Sequence, residues 1–496
     1  MLERFSRLLE SRRRFALAAA AWIIGLAWIR PLAVPDEGRY TDIARWMVLS
    51  GDWLIPRLNG LPFIQKPPLY FWLEAMGIAA GGTGVLVCRW VSLAGSLVTA
   101  YAVYRFIRPR FDERAARWTV VVLVMSLFFF ATAQFASLDM LVSTCITGTI
   151  LLAVEAAEAQ EAREKTARTR WLAAYAIAAL GVLAKGLIGI VIPGLVFVLW
   201  ALATRRPRAI LSAIRLDGLV LFALIAVPWF VLVEQRIPGF LRYFFIHNHF
   251  ERYAETGFNN PRGAWFYFAV VLLGTLPWAL TLYPATRAAL ARSGPARDAS
   301  MLGLIMALVV LGFFSIPTSK LPGYVLPCAP ALAILLGPWS ATFKYRRGFV
   351  LASIVIGLLA IAAALQADGL DPGRLADRLR STIAPEDRVV FWGRYFFAVP
   401  VELDRAKPVE VIDAWDKPSA ELPDSWRREL AAGREFEPAS APGVLITRGE
   451  FKESLAKNPA RVWVWAHKAD VHEPELNDLE IALTRGDYVV LRRPEK

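Results

Sequence analysis

Apolar residues do not alternate with polar ones along most of this chain. They come in long blocks broken by short polar turns. A helix needs about 20 predominantly apolar residues to cross a bilayer. Eleven blocks approach that length, at residues 15–34, 84–104, 118–134, 139–154, 171–184, 187–203, 217–234, 264–284, 300–316, 323–341 and 348–366. Short blocks blur into their neighbours, so the expectation is a mainly α, polytopic membrane domain over 1–366 with about 11–13 transmembrane helices. The first block follows Arg12-Arg13-Arg14 and no small-residue cleavage site precedes Pro35-Asp36-Glu37, which reads as a retained helix rather than a signal peptide. From Asp368 onward the pattern changes to that of a small soluble α/β domain, 367–496. Strands are expected at Arg388–Phe391, Val409–Ile412, Val444–Thr447, Val462–Trp465 and Tyr488–Leu491, and helices at Asp371–Ile383, Ser425–Ala432 and Gly449–Lys457. No catalytic constellation stands out in it, and His467 and His472 read as surface residues.

Composition agrees with the pattern. The 496 residues are 56% hydrophobic and 20% charged, against about 25% charged in a soluble chain. The net charge of +13 is uneven: residues 1–366 carry 36 basic and 19 acidic side chains, residues 367–496 carry 20 and 24. Basicity therefore belongs to the apolar part, which excludes a soluble globule, a disordered chain and a nucleic-acid binder. Lys and Arg in short loops set orientation. With the N-terminus in the cytoplasm, the inner segments hold 24 of them and the outer ones about ten. An odd number of spans then places the acidic tail outside. Glu155–Arg170 falls on the inner side and reads as the solvated end of a helical hairpin. Cys88, Cys145 and Cys328 all lie in apolar runs, with no disulfide or CxxC spacing. Pro193, Pro228 and Pro277 inside spans read as kinks.

The unusual polar residues fall on the outer side of this map. The first outer loop, 35–83, holds Asp36, Glu37, Arg39, Arg57, Gln65 and Lys66; later turns hold Gln134 and Asp139, then Lys185, then Arg242, His247, His249, Glu251 and Arg252, then Ser319-Lys320-Leu321-Pro322-Gly323-Tyr324. Ionisable groups at membrane depth are costly and commonly line a cavity or pathway, although each alone can snorkel to the interface. Arg39, Lys66, Lys185 and Lys320, with the Tyr324 hydroxyl, suit a phosphate at headgroup height. Asp36, Glu37 and Asp139 beside them can hold a cation, orient a sugar or act as general base. No GxxxxGK[ST] loop is present, which disfavours a nucleotide-driven pump. Within the first loop, Tyr40–Leu49 has helical spacing and ends at Ser50-Gly51-Asp52. A second helix begins at Pro67-Pro68-Leu69. Both are rich in aromatics and are expected to lie in the interface, with an extended 54–67 delivering Gln65 and Lys66 between them.

Pro35-Asp36-Glu37-Gly38-Arg39-Tyr40, Ser50-Gly51-Asp52-Trp53, Pro56-Arg57-Leu58-Asn59-Gly60 and Lys66-Pro67-Pro68-Leu69-Tyr70-Phe71-Trp72 together resemble the bacterial aminoarabinose transferase family, membrane-embedded glycosyltransferases of GT-C type related to protein O-mannosyltransferases. Shorter matches follow at Ser137-Leu138-Asp139, Ala184-Lys185-Gly186 and Ser319-Lys320-Leu321-Pro322-Gly323-Tyr324, so the resemblance covers residues 1 to about 340. It implies an inner-membrane enzyme that takes a sugar from undecaprenyl phosphate at the periplasmic face and passes it to a lipid, lipid A phosphate in the aminoarabinose case. It implies Asp36 as the acid essential for transfer, and Arg39, Lys66, Lys185 and Tyr324 as donor-phosphate ligands. It implies Asp139 as a second cavity acid and His247 as a ligand to a divalent metal. Gln65 departs from the family's Glu, which weakens a metal or amino-sugar contact there. Taken on the residues alone, Ile246-His247-Asn248-His249-Phe250 reads first as a pair of ordinary hydrogen-bonding histidines and only second as a metal pair. Three readings remain: the lipid-to-lipid transferase; the same donor with a polysaccharide, protein or other lipid as acceptor; and a lipid-linked sugar transporter, which would spread charge through the bilayer depth.

Overall fold

The computed structural model describes residues 11–33, 35–251, 260–368, 373–458 and 460–494, with the side chains of 247–251 and 368 outside that set. Every one of the eleven apolar blocks contains helix. Five helices are long and apolar enough to cross a membrane alone: Val85–Ile107, Leu138–Glu161, Leu216–Arg236, Gly294–Ser315 and Arg346–Asp368. Two more spans are broken pairs. Glu113–Val124 and Leu127–Ala133 meet at 68°, and Phe266–Gly274 and Trp278–Leu290 meet at 98°, the second break falling at Pro277, which cannot donate the helix hydrogen bond. Arg12–Ile24, Ala167–Lys185, Ile188–Ala203 and Cys328–Ser340 are shorter or less uniformly apolar, so the described residues supply five to seven spans by length and composition where 11–13 were expected.

Burial orders the bundle. In Leu138–Glu161, 83% of the apolar window is inside the fold, against 17% in the helix that begins at Arg346. The first is the central helix, packed on Val85–Ile107, Ala167–Lys185 and Ile188–Ala203; the second faces outward. After the central helix the hairpin turn 160–166 is exposed, as the sequence reading expects, but the first residue of that charged run differs. Glu155 is not solvated: it is 6% exposed and pairs with Arg105 and Arg110.

The first outer loop folds as Asp36–Ser50, a two-stranded hairpin of β1 (Arg57–Leu58) and β2 (Leu61–Pro62), and Leu69–Gly81. Asn59 and Gly60, at φ 53° and 80°, make the two-residue turn that a tight hairpin requires. The helix 36–50 does not lie bare in an interface as expected. Nine of its residues are buried, because the C-terminal part of the chain sits on it. That part is a six-stranded mixed sheet in the order β5-β4-β3-β6-β8-β7, with β3 Arg388–Trp392, β4 Glu410–Ile412, β5 Leu445–Ile446, β6 Val462–His467, β7 Glu480–Arg485 and β8 Tyr488–Arg492. β5, β4, β3 and β6 run parallel; β8 and β7 return antiparallel. All five expected strands are present and Trp463 and Trp465 pack inward. The missed strand, β7, is a half-exposed edge whose apolar run is only Ile481-Ala482-Leu483.

Asn59 joins the two parts of the chain. It is 1% exposed; its Nδ2 donates to the Val409 carbonyl at 2.9 Å and its Oδ1 accepts from the Val409 N–H at 2.8 Å. An apolar replacement leaves both Val409 groups buried and unpaired. Asn59→Ala is expected to cost about 1–3 kcal/mol and to lower the melting temperature of the detergent-purified protein, with the hairpin more readily cut by protease.

Candidate functional site

The helix 36–50 starts the site. Adjacent side chains on a helix point about 100° apart, so Asp36 and Glu37 cannot serve the same space. Asp36 is 35% exposed and pairs with Arg39 one turn later. Glu37 is wholly buried and faces the other way. Its Oε1 and Oε2 accept from Arg89 Nε and Nη2 at 2.7 Å each, and the Ala33 and Ala136 N–H groups donate to it at 2.7 Å. Arg89 also caps the carbonyls of Ala27, Arg30 and Pro31. Glu37, grouped with the catalytic acids on sequence, is therefore the anchor of a buried ion pair with no face open to a substrate.

Arg39 holds Asp36 with one Nη and Glu429 Oε1 with the other, the latter at 2.5 Å. Its guanidinium stacks 5.3 Å from the Phe397 ring centre. Glu429 and Phe397 both belong to the C-terminal part. The contact is possible because residue 38 is glycine: a Cβ there would sit 2.7 Å from the Ala398 nitrogen. Burial pushes the Glu429 carboxyl above its ordinary range, with Arg39 acting in the opposite sense. Its Oε2 and Arg39 Nε are buried without a hydrogen-bond partner.

The second half comes from the bundle. Ser137 caps the central helix by accepting from the Asp139 N–H at 3.1 Å, which holds Asp139 at that helix's first turn. Lys185, the last residue of Ala167–Lys185, donates to Asp139 Oδ1. Its Nζ stands 4.2 Å from the Tyr324 ring centre. The loop bearing Tyr324 is pinned by main-chain bonds from Lys320 N–H to Asn260 and from Arg262 N–H to Thr318, and by Tyr267 Oη donating to the Leu321 carbonyl. Gly323 lies flat against the Asp139 carboxylate, where any Cβ would collide with it. The two halves meet at Tyr40: Asp36, Arg39, Asp139 and Tyr324 all lie within electrostatic reach of its phenol.

Five of the sequence-derived residues, Asp36, Arg39, Asp139, Lys185 and Tyr324, thus gather at one end of the bundle. Gln65 and Lys66 are half-buried at the entry to Leu69–Gly81, a helix that packs on both 36–50 and Ala167–Lys185. Lys320 differs. It is 3% exposed and its Nζ donates to the Pro317 carbonyl, so it ties its own loop together. The His247 side chain lies outside the described residues, as do those of His249, Glu251 and Arg252. Among the described residues no three His, Cys, Asp or Glu side chains gather to hold a metal. Tyr40, Tyr267 and Glu429 were not among the expected site residues. Only Tyr40 carried a sequence signal, sitting beside Arg39 in the long motif.

Residues 65–232 match the family described as dolichyl-phosphate-mannose-protein mannosyltransferase. An undecaprenyl phosphate-α-4-amino-4-deoxy-L-arabinose arabinosyl transferase of Edwardsiella ictaluri is 30% identical over 351 residues, 68% of this chain and 61% of the relative. One from Pseudomonas aeruginosa is 30% identical over 69% of this chain and 62% of its own. The chain spans about three-fifths of the length of these curated relatives. Among solved structures, ArnT from Cupriavidus metallidurans bound to undecaprenyl phosphate superimposes with a TM-score of 0.79 at 25% identity, covering 96% of this chain and 97% of that one. The protein is a homologue of the bacterial aminoarabinose transferases. It has their polytopic GT-C membrane fold. An archaeal oligosaccharyltransferase from Archaeoglobus fulgidus shares that fold more distantly, at TM-score 0.55 and 12% identity.

Two predictions separate neighbouring acids by their roles. Glu37→Gln leaves Arg89 buried without its counter-charge, which typically costs about 3–5 kcal/mol; a large fall in melting temperature and yield is expected. Asp36→Asn, on a partly exposed side chain, should leave melting within the range of a surface change, about 0.5 kcal/mol.

Glu429 gives a pH signature. Its folded carboxyl binds the proton more tightly than the unfolded one, so the stability it contributes is present at low pH and is lost as pH rises above its ordinary value of 4.5. Glu429→Gln removes that dependence. The melting temperature of the parent should therefore fall relative to that of Glu429→Gln between pH 5 and pH 8, and parallel curves would refute the assignment.

Proposed function

We propose that the protein is an inverting glycosyltransferase of the bacterial inner membrane. It moves 4-amino-4-deoxy-L-arabinose from undecaprenyl phosphate to a phosphate of lipid A, with the site and the C-terminal domain (367–496) on the periplasmic side. The observation that carries this reading is the meeting of Asp36 and Arg39 with Asp139, Lys185 and Tyr324, cations and acids drawn from separate segments to one end of an apolar bundle. The names of the relatives supply the sugar and the carrier, and the excess of Lys and Arg in the opposite loops supports the orientation.

On this reading Arg39, Lys66 and Lys185, with the Tyr324 hydroxyl, receive the donor phosphate, and Asp139 holds Lys185 ready for it. Lys320 shapes the loop that carries Tyr324. An oxygen of the lipid A phosphate attacks the anomeric carbon from the face opposite the donor phosphate. The new carbon–oxygen bond forms as the old one breaks, undecaprenyl phosphate leaves with the electron pair, and the configuration inverts. An acceptor that is already an anion needs no proton removed. Asp36 therefore acts on the positive charge that develops at the sugar carbon, as a preorganised counter-charge.

Mass spectrometry of lipid A from a strain lacking its own aminoarabinose transferase tests this directly. Expression of the protein should add one amino-pentose residue to lipid A. Asp36→Asn, at equal membrane abundance, should lower the addition by about 10²–10³-fold. Unmodified lipid A alongside a glycosylated polysaccharide, protein or other lipid would overturn the acceptor. Full activity in Asp36→Asn would overturn the site.

A further inference from the structure

At the end of the bundle opposite the candidate site lies a cavity of about 910 Å³. Two helices connect the two places. The central helix carries Asp139 in its first turn and Glu155 and Glu158 towards its last. Val85–Ile107 carries Arg89 near its start and Arg105 near its end. At 1.5 Å per residue each separation is about 25 Å, most of the hydrocarbon thickness of a bilayer. The cavity is therefore at the headgroup level of the other leaflet.

Its lining includes five arginines against three glutamates. Glu155 and Glu158 hold the guanidinium groups of Arg105 and Arg110 in place. They do not exhaust them. Arg110 is 7% exposed, stacked with its guanidinium carbon 3.7 Å from the Phe106 ring centre, yet its Nε has no hydrogen-bond partner. Arg105 and Arg108 are each about half exposed and an arginine has five N–H donors to offer. Glu113, Glu161 and Asp298 answer Arg108 and Arg206 from outside the lining, so the spare capacity lies in the open N–H groups of the half-exposed Arg105 and Arg108, which is the chemistry of an anion site.

The mouth of the cavity says which anion. Val98 and Tyr101 are 55% and 65% exposed on the outer face of Val85–Ile107. Arg105 and Arg108 follow at intervals of four and three, so they continue the same helical stripe. An apolar stripe facing hydrocarbon runs without interruption into the cations. A free phosphate has no use for that stripe, whereas an acyl chain lies along it while its headgroup reaches the arginines. We infer that this cavity binds the phosphate of an anionic phospholipid from the leaflet opposite the candidate site, with Arg105, Arg108 and Arg110 as its ligands and Val98 and Tyr101 against its chain. Glu155 and Glu158, from the start of the charged run 155–170, line that cavity, while the turn at 160–166 is exposed.

The test uses the full-length protein in detergent. Native mass spectrometry and thermal shift are read with phosphatidylglycerol, phosphatidylcholine and inorganic phosphate as separate probes. Phosphatidylglycerol should bind and raise the melting temperature, with phosphatidylcholine at least about tenfold weaker. Arg105→Gln with Arg108→Gln should weaken phosphatidylglycerol by about tenfold or more. Lys344→Gln, an exposed cation outside the cavity, should leave it unchanged. Arg108→Gln alone serves if the double variant fails to fold, since Arg108 is half exposed and its partner Glu113 keeps Arg12 and Arg117. Equal binding of the two lipids, or full binding by the folded variants, overturns the proposal. So does inorganic phosphate stabilising the protein at millimolar concentration while displacing the lipid, which would make this a site for a free anion.

Discussion

The buried pair of Glu37 and Arg89 is the interaction on which the candidate site depends. Removing two charges from water costs several kcal/mol each, and the debt is met only when geometry and hydrogen bonding are complete. Here they are complete: the carboxylate accepts two guanidinium bonds and two main-chain N–H bonds, and the guanidinium caps three carbonyls. The elements so tied are the ones that matter. Ala33 leads into the helix of Asp36 and Arg39, Arg89 lies near the start of Val85–Ile107, and Ala136 stands three residues before Asp139. One carboxylate thereby fixes the distance between the acid of the first loop and the acid of the central helix.

A second layer of constraint comes from the C-terminal part of the chain. Its hydrogen bonds to Asn59, its ion pairs from Glu437 to Arg57 and from Glu429 to Arg39, and the close approach of Ala398 to Gly38 all fall on the first loop. The loop is thus held between the bundle below and the sheet above. This explains why 36–50 is buried on most sides although it is polar enough to lie at a surface. It also brings a carboxylate of the C-terminal part to the cation that, on the proposed reading, meets the donor phosphate.

Much of this was legible in the chain, and the limits are physical. Apolar blocks located all eleven helical regions because burial in hydrocarbon demands continuous apolarity. They do not show how a block runs: at Pro277, for example, one block is a helix pair broken by 98°. Asp36, Arg39, Asp139, Lys185 and Tyr324, singled out by motif, lie at one end of the bundle, since charge at membrane depth is rare enough to mark a shared place. The burial of Glu37 against Arg89 was not legible, because a buried anchor and a reactive acid look alike in sequence when they are neighbours on one helix. The turn of Lys320 onto the Pro317 carbonyl was hidden for a similar reason. Glu429 could not have been found: it is an ordinary first-turn glutamate of Trp426–Phe436, and only the fold carries it across 390 residues to Arg39.

The pairing within the site has a consequence for how it would work. Each cation of the cluster with a described partner is matched by an acid: Arg39 by Asp36 and Glu429, Lys185 by Asp139. A cavity lined by bare cations would be costly to hold at the membrane surface and would bind any anion that diffused to it. Matched pairs remove that cost, and they make the arriving phosphate compete with carboxylates for the same donors. On the proposed reading that competition is productive. A phosphate that takes Arg39 frees Asp36, and the freed carboxylate is then next to the carbon at which positive charge develops. Donor binding and activation of the acid become one event, which is a reason for an arginine to stand one helical turn from the acid in the first loop.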